Sequence, residues 1–217
     1  MLKTHRTSII IIIFCLLSSV TYAQSGKEVA VTGDQFGQLL KAVEDAHVAI
    51  KTLSADFTQE NTSSLFTDKV IQKGKLFYKW SGQLLRWEYT SPKPLTLLFN
   101  DDQVTLLTDK GPISNPNKML NELGKMIINT INGGNITVNT NFRINYLKNS
   151  QDGSYTAILT PINKKIKANY SSIRVILNGK SYLAEKVIMT ENNGDVTTIT
   201  FSNMKVNTTL PEGIFNK

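Results

Sequence analysis

The stretch LLRWEYTSP, residues 84–92, decides how the chain is read. With period two, Leu85, Trp87 and Tyr89 fall on one face and Leu84, Arg86, Glu88 and Thr90 on the other. Strict alternation of this kind marks a β-strand with one face shielded from water. Proline cannot donate to a strand ladder, so Ser91-Pro92 closes the run. Two large aromatics on one short face are either packed core or the wall of a cavity. Alternation alone does not choose between them.

The same rhythm extends outward. LSADFTQEN, DKVIQKGKLFYKW, QLLRWEYTS, PLTLLFN and QVTLLTD read as five successive strands, with turn residues at Ser81-Gly82, Ser91-Pro92 and Asn100-Asp101-Asp102. Connections this short place consecutive strands side by side as an antiparallel meander. A second series, NFRINYLKN, SYTAILTP, SIRVILN, SYLAEKVIMTEN and DVTTITFSNMKVN, is punctuated by Asp152-Gly153, Asn178-Gly179 and Asn193-Gly194, which are hairpin dipeptides. NKKIKANY can form a short helical turn. Ahead of the first series, Phe36, Leu39, Leu40, Val43, Ala46 and Ile50 recur at helical spacing, with Thr32 or Asp34 as cap. Between the series, Pro112 and Pro116 break the strand rhythm. A second helix follows there, with Asn117 as cap, an apolar stripe of Met119, Leu120, Leu123, Met126, Ile127 and Ile131, and a stop at Gly133-Gly134. About ten strands and two helices predict a mainly β fold with α: a large, curved antiparallel sheet with helices covering its concave side.

Residues 1–23 read as a cleaved secretory signal peptide. Lys3 and Arg6 precede an apolar run from Ile9 to Leu17, and Thr21 and Ala23 occupy the positions a signal peptidase reads. An uncleaved anchor is the alternative, although the run is shorter than the ~20 residues a span needs. Lipidation at Cys15 is a third, disfavoured because the apolar run continues past it. Cys15 is the one cysteine of the 217 residues, so the mature chain, 24–217, has no disulfide and no thiolate nucleophile. Its size fits one domain. The formal charge of +7 falls by two, to +5, without Lys3 and Arg6. The excess is dispersed and forms no basic tract, which gives no nucleic-acid partner and at most some affinity for anionic headgroups.

Catalytic and metal-binding chemistry has little to stand on. His5 leaves with the signal, and His47 stands alone on the first helix, whereas a metal site needs three or four converging donors. No G-x-S-x-G elbow accompanies it, and NGGN lacks the ending of a phosphate loop. Asp101-Asp102 is turn chemistry. Asp56, Glu60 and Glu88 are expected beside lysines on a polar face rather than as paired catalytic carboxylates. Sequons at Asn61, Asn135, Asn169 and Asn207 carry little weight in a chain so rich in Asn and Thr. The reading is a binding protein, not an enzyme, without metal or cofactor.

One family resemblance covers essentially the whole mature chain. An N-terminal helix leads into LSADFTQ (Leu53–Gln59), then KGKLFYKWSGQLLRWEYTSP (Lys73–Pro92), a mid-chain helix ending in INGG, and the closing NGDVTTITFSNMKVNTTLPEGIF. In this order the chain resembles the periplasmic outer-membrane lipoprotein carrier proteins, the LolA family. The resemblance implies an incomplete, half-open antiparallel β-barrel with a helical lid. It implies a hydrophobic cavity for the acyl chains of lipoproteins, which are carried through the periplasm from the inner to the outer membrane. An inner-membrane releasing transporter and an outer-membrane acceptor would be its partners, and the carrier would act as a monomer. The residues expected to line the cavity are Phe57, the stripe Leu76, Tyr78 and Trp80, then Leu85, Trp87 and Tyr89, with Leu97 and Phe99 beyond. Met119, Leu123, Met126 and Ile127 face them from the lid. Aromatic and methionine side chains suit chains of variable length and packing.

Two departures stand out. Family members carry an Arg-Pro whose arginine is thought to latch the lid; here the stretch is Lys79-Trp80-Ser81-Gly82, and Lys79 is the residue left to act as latch. A lysine is a flexible point donor and does not reproduce an arginine fork. The usual Ser-Asp-Gly turn is replaced by Asn100-Asp101-Asp102. These departures keep two other readings open: a carrier of a glycolipid or other envelope lipid, and a structural protein that docks an envelope complex through the same sheet.

Overall fold

The computed structural model describes residues 27–65, 69–100, 103–108, 110–114, 127, 128, 130, 131 and 140–216. Among them are twelve strands: β1 (Glu28–Ala30), β2 (Thr52–Thr62), β3 (Lys69–Lys79), β4 (Leu84–Ser91), β5 (Leu95–Asn100), β6 (Gln103–Thr108), β7 (Gly111–Ser114), β8 (Phe142–Asn149), β9 (Tyr155–Pro161), β10 (Tyr170–Leu177), β11 (Ala184–Glu191) and β12 (Val196–Val206). They form one antiparallel sheet in the order β1-β8-β9-β10-β11-β12-β2-β3-β4-β5-β6-β7. The chain enters at one edge and crosses to the middle through helix α1 (Asp34–Val48). It then meanders out to β7, returns at β8 beside β1, and meanders back until β12 pairs with β2. Edges β1 and β7 do not pair with each other, so the barrel stays open.

The structure adds two strands to those expected. β7 contains Pro112, which pairs with Leu107 across the edge. A proline has no N–H to offer a further neighbour, so it is tolerated at an edge where it would break a central strand. β1 is three residues of the N-terminal polar segment, too short to show alternation. The α1 cap also differs from expectation. Gly33, at φ 60, precedes the helix and no side chain caps it. A residue with a Cβ is disfavoured at that φ, so neither Thr32 nor Asp34 takes the cap position. The short helical turn α2 (Lys164–Lys167) is capped by Asn163, whose side chain accepts from the Lys165 N–H at 2.9 Å.

Alternation places the core. Leu53, Ala55 and Phe57 of β2, Leu76 and Tyr78 of β3, Leu85 and Trp87 of β4, and Leu97 and Phe99 of β5 are buried on one face. Leu39, Val43 and His47 of α1 are buried in turn, as are Ile50 and Ile128. One close approach shapes this region. Phe57 and Tyr89 both pair with Gly74 of β3, and a Cβ on Gly74 would run into the Glu88 carbonyl and the Phe57 ring. The missing side chain gives the Phe57 ring its place, 4.4 Å from the Trp87 ring and 5.3 Å, edge-on, from Tyr89. Aromatic contacts of this geometry are each worth about 0.5–1.5 kcal/mol beyond area burial.

Outside, Arg86 and Glu88 pair at 2.8 Å, and Arg86 Nη1 donates to the Ile214 carbonyl at 3.3 Å. Both are partly covered rather than fully solvated, because the C-terminal segment lies over them. Lys75–Asp56, Lys69–Glu60 and Arg174–Glu28 are further outer pairs on the sheet. Exposed pairs of this kind contribute little, at most about 1 kcal/mol each. No helix among the described residues is long and apolar enough to cross a membrane.

Candidate functional site: an apolar cavity under the helices

A cavity of about 260 Å³ lies on the concave side of the sheet. The first meander lines it with Leu53, Ala55, Gln59, Leu76, Trp87, Tyr89, Leu97 and Phe99. The second supplies Leu159, Ile173, Val175, Val187, Met189, Thr197, Ile199, Phe201 and Met204. His47 and Ile50 approach from the α1 end, and the helical residues Ile127, Thr130 and Ile131 close over it. No Lys, Arg, Asp or Glu is among the described lining residues. Three or more His, Cys, Asp or Glu do not converge anywhere among the described residues.

The expected lining residues divide. Leu76, Trp87, Tyr89, Leu97, Phe99 and Ile127 border the cavity. Phe57, Tyr78 and Leu85 are buried on the same face but lie behind it as packing: Phe57 supports Trp87, and Tyr78 and Leu85 pair across β3 and β4. Trp80 is a correction. β3 ends at Lys79, so the period-two count no longer applies, and Trp80 turns outward, 42% exposed, with the Lys51 ammonium 5.8 Å from its ring centre. Lys79 is exposed at the end of β3, on the face opposite Tyr78. Met119, Leu123 and Met126 lie outside the described residues.

Sequence reasoning passed over several lining groups. His47 is buried. Its Nδ1 is 2.7 Å from the Val43 carbonyl; since a carbonyl only accepts, that nitrogen carries the proton of the neutral ring. Burial pushes the imidazole below its usual range, and the Val43 hydrogen bond offsets part of this. The wall from β10–β12 was legible as alternation, but alternation identifies strands and does not say which of their faces borders a cavity. A polar cluster at one end had no sequence signal, because it joins four strands, β2, β3, β4 and β12. Tyr89 donates to Gln59 Oε1 at 3.0 Å, and the Gln59 amide reaches Asn61 and Gln72 at 3.2 and 3.3 Å. Asn61 donates to Gln72 at 3.2 Å and accepts from Thr197 at 2.9 Å.

Trp87 is 3% exposed, and its Nε1–H has no hydrogen-bond partner among the described residues. The indole lies close enough to the Tyr89 hydroxyl to hold down part of the upward shift that burial gives that phenol, but outside hydrogen-bond geometry. A buried donor left without an acceptor costs about 1–3 kcal/mol.

The profile of the outer membrane lipoprotein carrier protein LolA matches residues 49–217, which takes in every strand from β2 to β12. The chain belongs to the LolA family. Its half-open sheet is the LolA fold. A LolA superfamily protein of Nitrosomonas europaea is similar at 14% identity, over 87% of this chain and 98% of that one, with a TM-score of 0.47. An uncharacterized conserved protein from Thermus thermophilus reaches a TM-score of 0.53 at 8% identity, over 83% and 93%. Lipoprotein LppX of Mycobacterium tuberculosis follows at 0.48 and 9%, over 83% and 100%. At these identities the likeness is one of fold. No curated protein matches this LolA-family chain in sequence.

Proposed function

We propose that this chain is a periplasmic carrier that takes up the acyl chains of lipoproteins and moves them from inner to outer membrane. The observation that carries the reading is the cavity: apolar over most of its wall and, among the described residues, without a formally charged lining side chain. Family membership supports acyl chains of lipoproteins as the cargo, and the signal-like residues 1–23 support the periplasm as the compartment. Transfer of a chain from water is worth about 0.8 kcal/mol per methylene, so a rigid open site would hold a multiply acylated cargo too tightly to release it. Ile127 and Ile131 line the cavity, and their own burial competes with the cargo. At about 260 Å³ the cavity is below the ~300–1,000 Å³ of ordinary ligand pockets, so in this reading it widens when a multiply acylated cargo is loaded. In this reading the protein has no catalytic step and no cofactor.

The lack of an Arg-Pro before β4 favours one second reading, a carrier of another envelope lipid. Native mass spectrometry and lipid extraction of the protein purified from its own periplasm separate the two. Co-purifying triacylated peptide is expected; free glycolipid instead supports the second reading, and no lipid at all contradicts both.

A further inference from the structure

Three features of the cavity wall point the same way. The Trp87 N–H is a buried donor without an acceptor among the described residues, in a side chain that lines the cavity. Phenylalanine would pack there without leaving a donor orphaned, so the indole nitrogen is a cost to the closed protein. Beside it, Tyr89, Gln59 and Thr197 bring a neutral hydrogen-bonding cluster to the same cavity, with Asn61 and Gln72 behind. The described lining has no cation to receive a phosphate or carboxylate and no anion to receive an amine. An ionic headgroup drawn into this wall would be desolvated without a counter-charge.

We propose that Trp87 Nε1–H, with the Tyr89–Gln59 cluster, forms a polar subsite for the ester or amide carbonyl that joins an acyl chain to its uncharged head. This rests on the carrier reading and narrows its ligand to neutral acyl linkages. The Trp87 ring lies among the Phe57, Tyr89 and Phe201 rings, with centroids 4.4, 6.4 and 6.2 Å away. Entry of a chain parts these rings and gives the N–H an acceptor that no described side chain supplies. The apolar lining side chains, Leu53, Ile173 and Ile199 among them, are left for the acyl tail. The subsite fixes the depth of the chain, and one directional bond discriminates where a greasy wall does not.

The test compares 1-palmitoylglycerol with its ether analogue 1-O-hexadecylglycerol, which keeps both hydroxyls and lacks the carbonyl. Calorimetry on the full mature chain is expected to show roughly fivefold tighter binding of the ester, the size of one net hydrogen bond. Trp87→Phe should abolish that preference. In 15N spectra of the unsubstituted protein, which has two tryptophans, the Trp87 indole proton should move downfield with the ester and not with the ether. Trp80→Phe assigns the two signals. Equal affinities with an unmoved indole signal overturn the subsite and leave the carrier reading standing, as does a Trp87→Phe variant that weakens both ligands equally. Failure of both ligands to bind overturns the carrier reading as well. The indole measurement needs no Trp87 variant, so misfolding of Trp87→Phe does not blunt the test.

Discussion

On β4 the inward Leu85 and Trp87 are sealed, Tyr89 is partly open, and Phe57 behind them is fully buried; on β11 and β12 Met189 and Ile199 are buried too, while the inward Val187, Thr197 and Phe201 keep part of their surface open. The first meander builds its wall from rings in mutual contact, Phe57, Trp87 and Tyr89, set into the gap over Gly74. The second uses Val, Ile and Met, with Phe201 reaching across to Trp87 at 6.2 Å. Both walls face one cavity. The difference is one of packing: the aromatic wall is braced ring on ring and contributes more to stability, whereas Val187, Thr197 and Phe201 keep surface that an occupant can still cover. Truncation of a ring in the first should therefore show chiefly in unfolding, with Trp87 also reporting on the bound linkage, and truncation of Val187 in the second chiefly in ligand binding.

The hardest blow to that division is Phe57→Ala. Loss of a ring packed between Trp87 and Tyr89 should cost about 3–5 kcal/mol, read as a lower urea midpoint. A change under about 1 kcal/mol, the ordinary cost of a point substitution, would mean that the aromatic wall is not the scaffold. Gly74→Ala comes next, at about 1–3 kcal/mol of overpacking, since the Glu88 carbonyl belongs to the ladder and cannot step aside. Val187→Ala on the opposite wall should cost less than about 1.5 kcal/mol because Val187 is only half-buried. It should nevertheless weaken binding of a fluorescent palmitate analogue several-fold; a stability loss equal to that of Phe57→Ala would erase the distinction. The smallest expected effect is on pH dependence. His47 binds its proton more weakly in the folded chain than at the ordinary value of 6.5, so the unfolded state gains protons first as pH falls. The resulting stability is complete above about 6.5 and is lost as pH falls toward the folded-state value. Asp56, held below its ordinary 3.8 by Asn203 and Lys75, loses its share only at lower pH. Urea midpoints between pH 7 and pH 5 should drop, and His47→Gln should flatten that drop.

The aromatic wall was the more legible of the two. Leu76, Trp87, Leu97 and Phe99 follow from period two within strands whose ends are marked by turn residues. Trp80 failed because periodicity has no meaning past the last ladder residue, and the strand stops at Lys79. Pro112 reads as a break because sequence does not reveal which strand is an edge. His47 was only partly legible: its immediate neighbours are polar or small, but it stands four residues after Val43 and three before Ile50, on the stripe that α1 buries. The Gln59–Gln72–Asn61–Thr197 cluster depends on the β12–β2 and β2–β3 registers, which join residues up to 136 positions apart. The same seam is fastened by Asn207. Its side chain accepts from the Lys51 N–H at 2.7 Å and donates to the Ala49 carbonyl at 2.9 Å, a role unrelated to the sequon that draws the eye to it.

The central claim is that acyl chains occupy the concave side of this sheet. Methyl NMR of the protein titrated with a triacylated lipopeptide tests it most directly, with Val187, Met189 and Ile199 reporting on the cavity and the exposed Ile71 and Ile162 as controls. The account predicts large, saturable shifts at the three cavity methyls and none at the controls. Shifts confined to Ile71 and Ile162, or no shift at any of the five, would contradict it.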